Sequence, residues 1–142
     1  MKQDTSKETR TATDLIKAEQ LHLQATFRLM KCQAHYSVYS SHLKKVAHDG
    51  LEFVDEALKL FPNNPSYLNT KALLLADGLG DMEQSIQILK RTSAILPDDI
   101  QLRQNLRDAT EQQKDSRTIT VIALIVFFFI IVGAIIYIVN NS

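Results

Sequence analysis

The chain has one cysteine, no tryptophan, four glycines and three prolines among its 142 residues. A lone Cys32 cannot close an internal disulfide, which excludes a cross-linked secreted scaffold and makes a reducing compartment the default. With so few glycines and prolines there are few places where a helix must stop, so a helical chain is expected. An excess of one charge is missing too, because 16 basic residues balance 16 acidic ones. No overall field draws in nucleic acid, and a nucleic-acid partner is not expected. The opening MKQDTSKETRTATD has no apolar run and cannot serve as a secretory signal. Its low hydrophobicity predicts disorder up to Thr11.

A long apolar run is present at the other end. From Ile119 to Val139 the sequence ITVIALIVFFFIIVGAIIYIV carries no charge. At about 1.5 Å per residue it can cross a hydrocarbon core of about 30 Å. Its Ile, Leu, Val and Phe residues favour insertion by about 5 to 10 kcal/mol. A buried soluble helix would need cover on all sides from about 100 remaining residues, which a domain of that size cannot supply. Lys114 and Arg117 precede the span and only Asn140, Asn141 and Ser142 follow it. The expected topology therefore leaves the N-terminal domain in the cytosol, with a tail anchor inserted after translation. Gly133 and Ala134 do not begin a small-xxx-small pair, since Tyr137 and Ile138 hold the matching positions.

Between tail and span the sequence repeats itself. EALKLFPNNPSYLN from Glu56 lines up with RTSAILPDDIQLRQ from Arg91, placing Pro62 on Pro97 at an offset of 35 residues. Apolar positions recur on both sides of the proline: Val54 with Leu89, Leu51 with Ile86, Tyr67 with Leu102. Asn64 and Pro65 form a cap and a first helical position, so a helix is expected from Pro65 to about Asp77. Gly78 and Gly80 permit a left-handed stop, and Asp81 with Gln84 resembles a capping box starting a helix near Met82. That helix ends before Pro97, and Asp98 or Asp99 caps another with an apolar stripe of Ile100, Leu102, Leu106 and Ala109. Upstream, Ile16, Leu23, Phe27, Met30 and Ala34 mark a long amphipathic helix from Thr13 to about Tyr39, paired with one from about Ser41 through Leu60.

These residues resemble the tetratricopeptide repeat. Ala72 and Leu75 fit two first-helix positions, Gly80-Asp81-Met82 fits the turn, Ser85, Leu89 and Thr92 fit second-helix positions, and Pro97 closes the unit. Leu68 stands in place of the usual Trp, and the unit is one residue longer than the usual 34. The resemblance implies an all-α fold of antiparallel helical hairpins, about five helices, followed by one transmembrane helix. The division expected is a polar tail over 1–11, a helical domain over 12–113, a polar stem over 114–118, a membrane helix over 119–139 and a short tail over 140–142. It also implies a concave surface on which partner peptides lie, lined here by Ser66, Asn69, Leu73, Ala76 and Asp77. Leu73 reads equally as groove or core. Arg103, Arg107 and Thr110 replace Leu68, Ala72 and Leu75 in the last helix, the polar outer face of a capping element.

Sites of chemistry are thin. Cys32, His35, His42 and His48 offer no second paired motif to complete a metal site, and no cofactor is expected. Cys32 lacks the surroundings of a nucleophile. Tyr36, Tyr39 and Tyr67 read as packed aromatics before partner anchors. The functional expectation is a non-enzymatic adaptor that binds a protein partner at a membrane. Its organisation is similar to the mitochondrial fission-one adaptor family, although the residues after the span lack that family's basic charges. The alternative is an accessory subunit or chaperone of a bacterial secretion or envelope complex at the inner membrane.

Overall fold

The computed structural model describes residues 4–34 and 41–140, and throughout them the backbone is helix joined by short turns. The helices are α1 (Asp4–Ala34), α2 (Ser41–Leu60), α3 (Pro65–Leu73), α4 (Met82–Ile95) and α5 (Ile100–Asn140). A π-helical segment, Leu74–Leu79, continues α3. His35, Tyr36 and Tyr39 lie outside the described residues.

The 35-residue offset is written into the backbone. Phe61 N–H donates to Ala57 C=O at 3.0 Å, and Leu96 N–H to Thr92 C=O at 3.1 Å. Asn64 N–H donates to Phe61 C=O, and Asp99 N–H to Leu96 C=O, at 3.2 and 3.3 Å. Each turn then places a side-chain oxygen on the orphan amides of the next helix. Asn64 Oδ1 accepts from Ser66 and Tyr67 N–H, and Asp99 Oδ1 accepts from Leu102 N–H at 3.0 Å. Asp99, not Asp98, is therefore the cap.

Helix α3 and its π continuation lie between two layers of core. On one side Leu74 packs with Ala18, Ala25, Leu29, Val54, Ala57 and Tyr67. On the other Ala72 packs with Ile86, Leu89, Leu102 and Ala109. The widened π turn brings the successive residues Leu74, Leu75 and Ala76 all inward, which a regular 100° step would not do. Gly80 closes it with φ 73°, and Asp81 N–H reaches Leu75 C=O at 2.8 Å. Asp81 Oδ1 then accepts from Gln84 N–H at 3.0 Å, while the Gln84 amide donates to the same carboxylate. The expected box is thus only half reciprocal.

Four expectations change. Helix α1 begins at Asp4 rather than Thr13 and so takes in residues 4–11. No glycine or proline separates them from the packed stretch, and helix propagates backwards from it at little cost. Gly78 is not part of the left-handed stop. It is buried where the π segment crosses α2, and a Cβ there would sit 2.4 Å from the Cβ of Ala47. Ile100 is 73% exposed and stands off the apolar stripe, because it opens the helix ahead of the layer that Leu102 and Ala109 fill.

The stem, finally, is not a separate piece. Helix α5 runs unbroken through Asp115 and Ser116 into the apolar run. Thr118 and Thr120 hydroxyls donate back to the Lys114 and Ser116 carbonyls at 2.9 Å, so these polar groups are satisfied within the helix. It is a helix long and apolar enough to cross a membrane, and its apolar run is unburied by the rest of the chain.

Two stability measurements check this packing, each by urea unfolding of the full chain in detergent followed by circular dichroism. Gly78→Ala is expected to cost about 1 to 3 kcal/mol, and adding Ala47→Gly should recover part of it. Leu102→Ala, at a site 4% exposed, is expected to cost about 2 to 4 kcal/mol. The half-buried Leu106 should cost less than Leu102 when cut to Ala.

Candidate functional site: a concave face between parallel helices

Three helices run in the same direction along one side of the domain. Tyr67 Oη donates to Glu19 at 2.7 Å, His22 Nε2 meets Thr70 Oγ1 at 2.9 Å, and Gln33 Nε2 donates to Asp77 Oδ2 at 2.7 Å. These contacts advance together along α1 and along α3 with its π segment, so the two are parallel. Asn69 and Asn105 meet at 2.9 Å, while Leu73, Ala76 and Asp77 stand opposite Asp108, Ala109 and Gln112. Helix α5 therefore shares their direction.

Between these helices lies a concavity of about 180 Å³. Gln33 comes from α1, Leu73, Ala76 and Asp77 from the middle element, and Asn105, Asp108 and Gln112 from α5. Ser85 and Leu89 of α4 complete the lining. Among the described residues no lysine or arginine lines it, whereas two carboxylates and three side-chain amides do. Ser85 is fully buried and its Oγ has no hydrogen-bond partner. A buried hydroxyl left unpaired carries a desolvation cost.

The five residues expected to face a groove divide between two hollows. Leu73, Ala76 and Asp77 line the larger one. Ser66 and Asn69 line a smaller hollow of about 90 Å³ with Pro65, Leu96 and Leu102. The Asn69–Asn105 bond stands between them. Leu73 does both jobs left open for it, touching the first core cluster and the concavity. Ala76 is 5% exposed and contributes wall rather than surface.

Gln33, Ser85, Asp108 and Gln112 are lining residues that the sequence reading did not single out for the groove. For α5 the signal was available. Moving Ser66, Leu73 and Asp77 forward by the 35-residue offset gives Gln101, Asp108 and Gln112, all of which line one hollow or the other. Gln33 had no such signal, because α1 does not share the repeat.

The turn residues hold their places: Pro65 opens α3, Asp81 caps α4, Gly80 supplies the left-handed residue and Pro97 lies in the turn before α5. Tyr67 is buried against the His22 ring at a centroid distance of 4.7 Å, so it is a packing residue. Burial, then the hydrogen bond to Glu19 and that residue's charge, push its phenol up to about 12. Burial also pushes the Cys32 thiol up, with the Asp77 charge adding to it. That is the opposite of what an activated thiolate needs. Among the described residues no three His, Cys, Asp or Glu side chains converge as metal ligands.

The wall between α1 and α3 generates a pH prediction. Burial holds the His22 pKa below its ordinary value, opposed by the nearby Glu19 charge. The unfolded chain therefore binds a proton here more readily than the folded one, and stability rises with pH in this window. As pH falls from 7 through the ordinary histidine value towards the depressed one, the urea midpoint should drop. His22→Gln should make that drop shallower, and equal slopes in the two proteins would refute the assignment.

The chain matches no protein-family model, no curated protein and no solved structure.

Proposed function

We propose that this chain is a non-enzymatic, membrane-anchored interaction module whose TPR-like domain faces the cytosol and seats a segment of a partner protein in the concavity beside Asp77 and Asp108. The observation that carries the reading is the lining itself: a hollow walled by three parallel helices, with two carboxylates and, among the described residues, no basic side chain. A lysine or arginine of the partner is the guest that such a site favours, since it brings a positive charge to the two carboxylates. A carboxylate guest is disfavoured for the same reason.

The TPR-like reading is supported by the turn hydrogen bonds that recur at the 35-residue offset and by the alternation of antiparallel helices. The extra residue over the usual period has a natural seat in the π segment, since a π turn is one residue wider than an α turn. Membrane anchoring serves such a module by confining it, which raises the effective concentration of a docked partner near other membrane components. The unbroken helix from the concavity into the span adds geometry. From Ala109 to Ile119 the helix rises by about 15 Å, so the site stands at a fixed short height above the bilayer.

The test places a photoreactive residue at Asn105 in the full chain and irradiates intact membranes. Crosslinked partner segments, sequenced by mass spectrometry, should carry a lysine or arginine near the attachment point. Asp77→Lys combined with Asp108→Lys should lower their recovery at least about tenfold, with helical content unchanged. Undiminished recovery from that double variant would refute the concavity as the docking place.

A further inference from the structure

Helix α1 buries one face and leaves the opposite one bare. Ala18, Ala25 and Cys32, spaced by seven residues, are 0%, 0% and 3% exposed. Two positions before each, and so about 160° around the helix, stand Ile16, Leu23 and Met30, which are 61%, 70% and 61% exposed. Phe27, at 53%, joins them, with Lys31 Nζ at 4.6 Å and the Arg28 guanidinium at 5.9 Å from its ring centroid. The outer surface of α5, at the other end of the helix array, carries Arg103 and Arg107 instead. One end of the domain is finished for water and the other is not.

The bare face has a register. Ile16, Gln20, Leu23, Phe27 and Met30 follow steps of four, three, four and three, which is the a/d seam of a heptad. A seam of period 3.5 is complementary to another helix of the same period, and α1 itself is such a helix. We propose that two copies of this chain pair through the exposed seam of α1 as a parallel two-stranded coiled coil.

Direction and charge select the parallel form. Helix α1 runs in the same sense as α5, so two chains with their apolar runs in one membrane present their α1 helices in parallel. Next to the seam, one flank carries Lys17, Gln24 and Lys31 and the other Ala12, Glu19 and Thr26. In parallel register Lys17 faces Ala12 of the second copy, Gln24 faces Glu19 and Lys31 faces Thr26, so no like charges meet. An antiparallel pair would set Lys17 against Lys31 of the second copy twice, a repulsion that works against that arrangement. Gln20 then pairs with its own copy inside the seam, a polar layer of the kind that fixes register and strand number. The seam is only about three heptads long and would be weak in free solution, but two anchored chains meet at the raised effective concentration of a surface.

This inference uses the membrane reading of the apolar run and does not depend on a guest in the concavity. Its test uses the full chain in membranes, in a Cys32→Ser background, with one cysteine introduced at a time and mild oxidation. Gln20→Cys should give a disulfide-linked dimer. Leu15→Cys, exposed but off the seam, should give at least about tenfold less. Adding Leu23→Glu and Phe27→Glu to Gln20→Cys should abolish the dimer while circular dichroism stays unchanged, since both side chains are exposed. Equal crosslinking at Leu15→Cys, survival of the dimer in the Glu variants, or a monomer throughout would overturn the proposal. So would a Lys17→Cys, Lys31→Cys mixture that crosslinks better than Gln20→Cys, because it would place the helices antiparallel.

Discussion

Helix α5 joins the surface of a packed domain to a fully apolar stretch through one unbroken backbone. Over its first turns it behaves as a surface helix of a soluble domain, with Leu102 and Ala109 buried and Arg103 and Arg107 exposed. Past Thr120 every backbone group is still paired within the helix while the side chains become uniformly apolar, the one arrangement a single chain can offer to hydrocarbon. Because no break intervenes, the domain is not joined to its apolar segment by a flexible tether. The concave face and the exposed seam of α1 are held at set distances from that segment by the rise of a helix.

That rigidity gives the rest of the fold its meaning. The parallel run of α1, α3 and α5 along one side places the carboxylates of Asp77 and Asp108 in one small hollow, with α4 contributing Ser85 and Leu89 to its lining. The middle element is packed on both sides, so its mid-helix polar residues are paired with its neighbours: Asn69 with Asn105, Thr70 with His22 and Lys71 with Asp55. The π segment lets three consecutive residues point inward there, and Gly78 lets α2 come close enough to cover them. A hollow with acidic walls is the by-product of that packing and the basis of the proposed partner chemistry.

Much of this was legible in the residues. The Pro62 and Pro97 turns, the Asn64 cap, a cap at Asp98 or Asp99 and the start of α4 at Met82 follow from local chemistry, which depends on neighbours within a few positions. The polar face of α5 was legible for the same reason, as were the helix boundaries near Ser41 and Pro65. The groove positions were legible only in part. Leu73, Ala76 and Asp77 share a hollow, but Ser66 and Asn69 were divided from them by the Asn69–Asn105 bond, a contact between residues 36 apart that no local pattern encodes.

The same division holds for α1. Its apolar residues at helical spacing mark an amphipathic helix, but spacing alone does not say which face packs on α2. Tertiary structure decided that, burying Ala18, Ala25 and Cys32 and leaving Ile16, Leu23 and Met30 outside, because small side chains allow the closer helix approach that α2 and the π segment demand. What the sequence determined by itself was where helices begin and end, that they repeat, and which stretch is apolar enough for a membrane, since those depend on nearest neighbours and length. Which face is core, which is concave and which stays exposed depended on residues far apart in sequence, and only the packed structure brings those together.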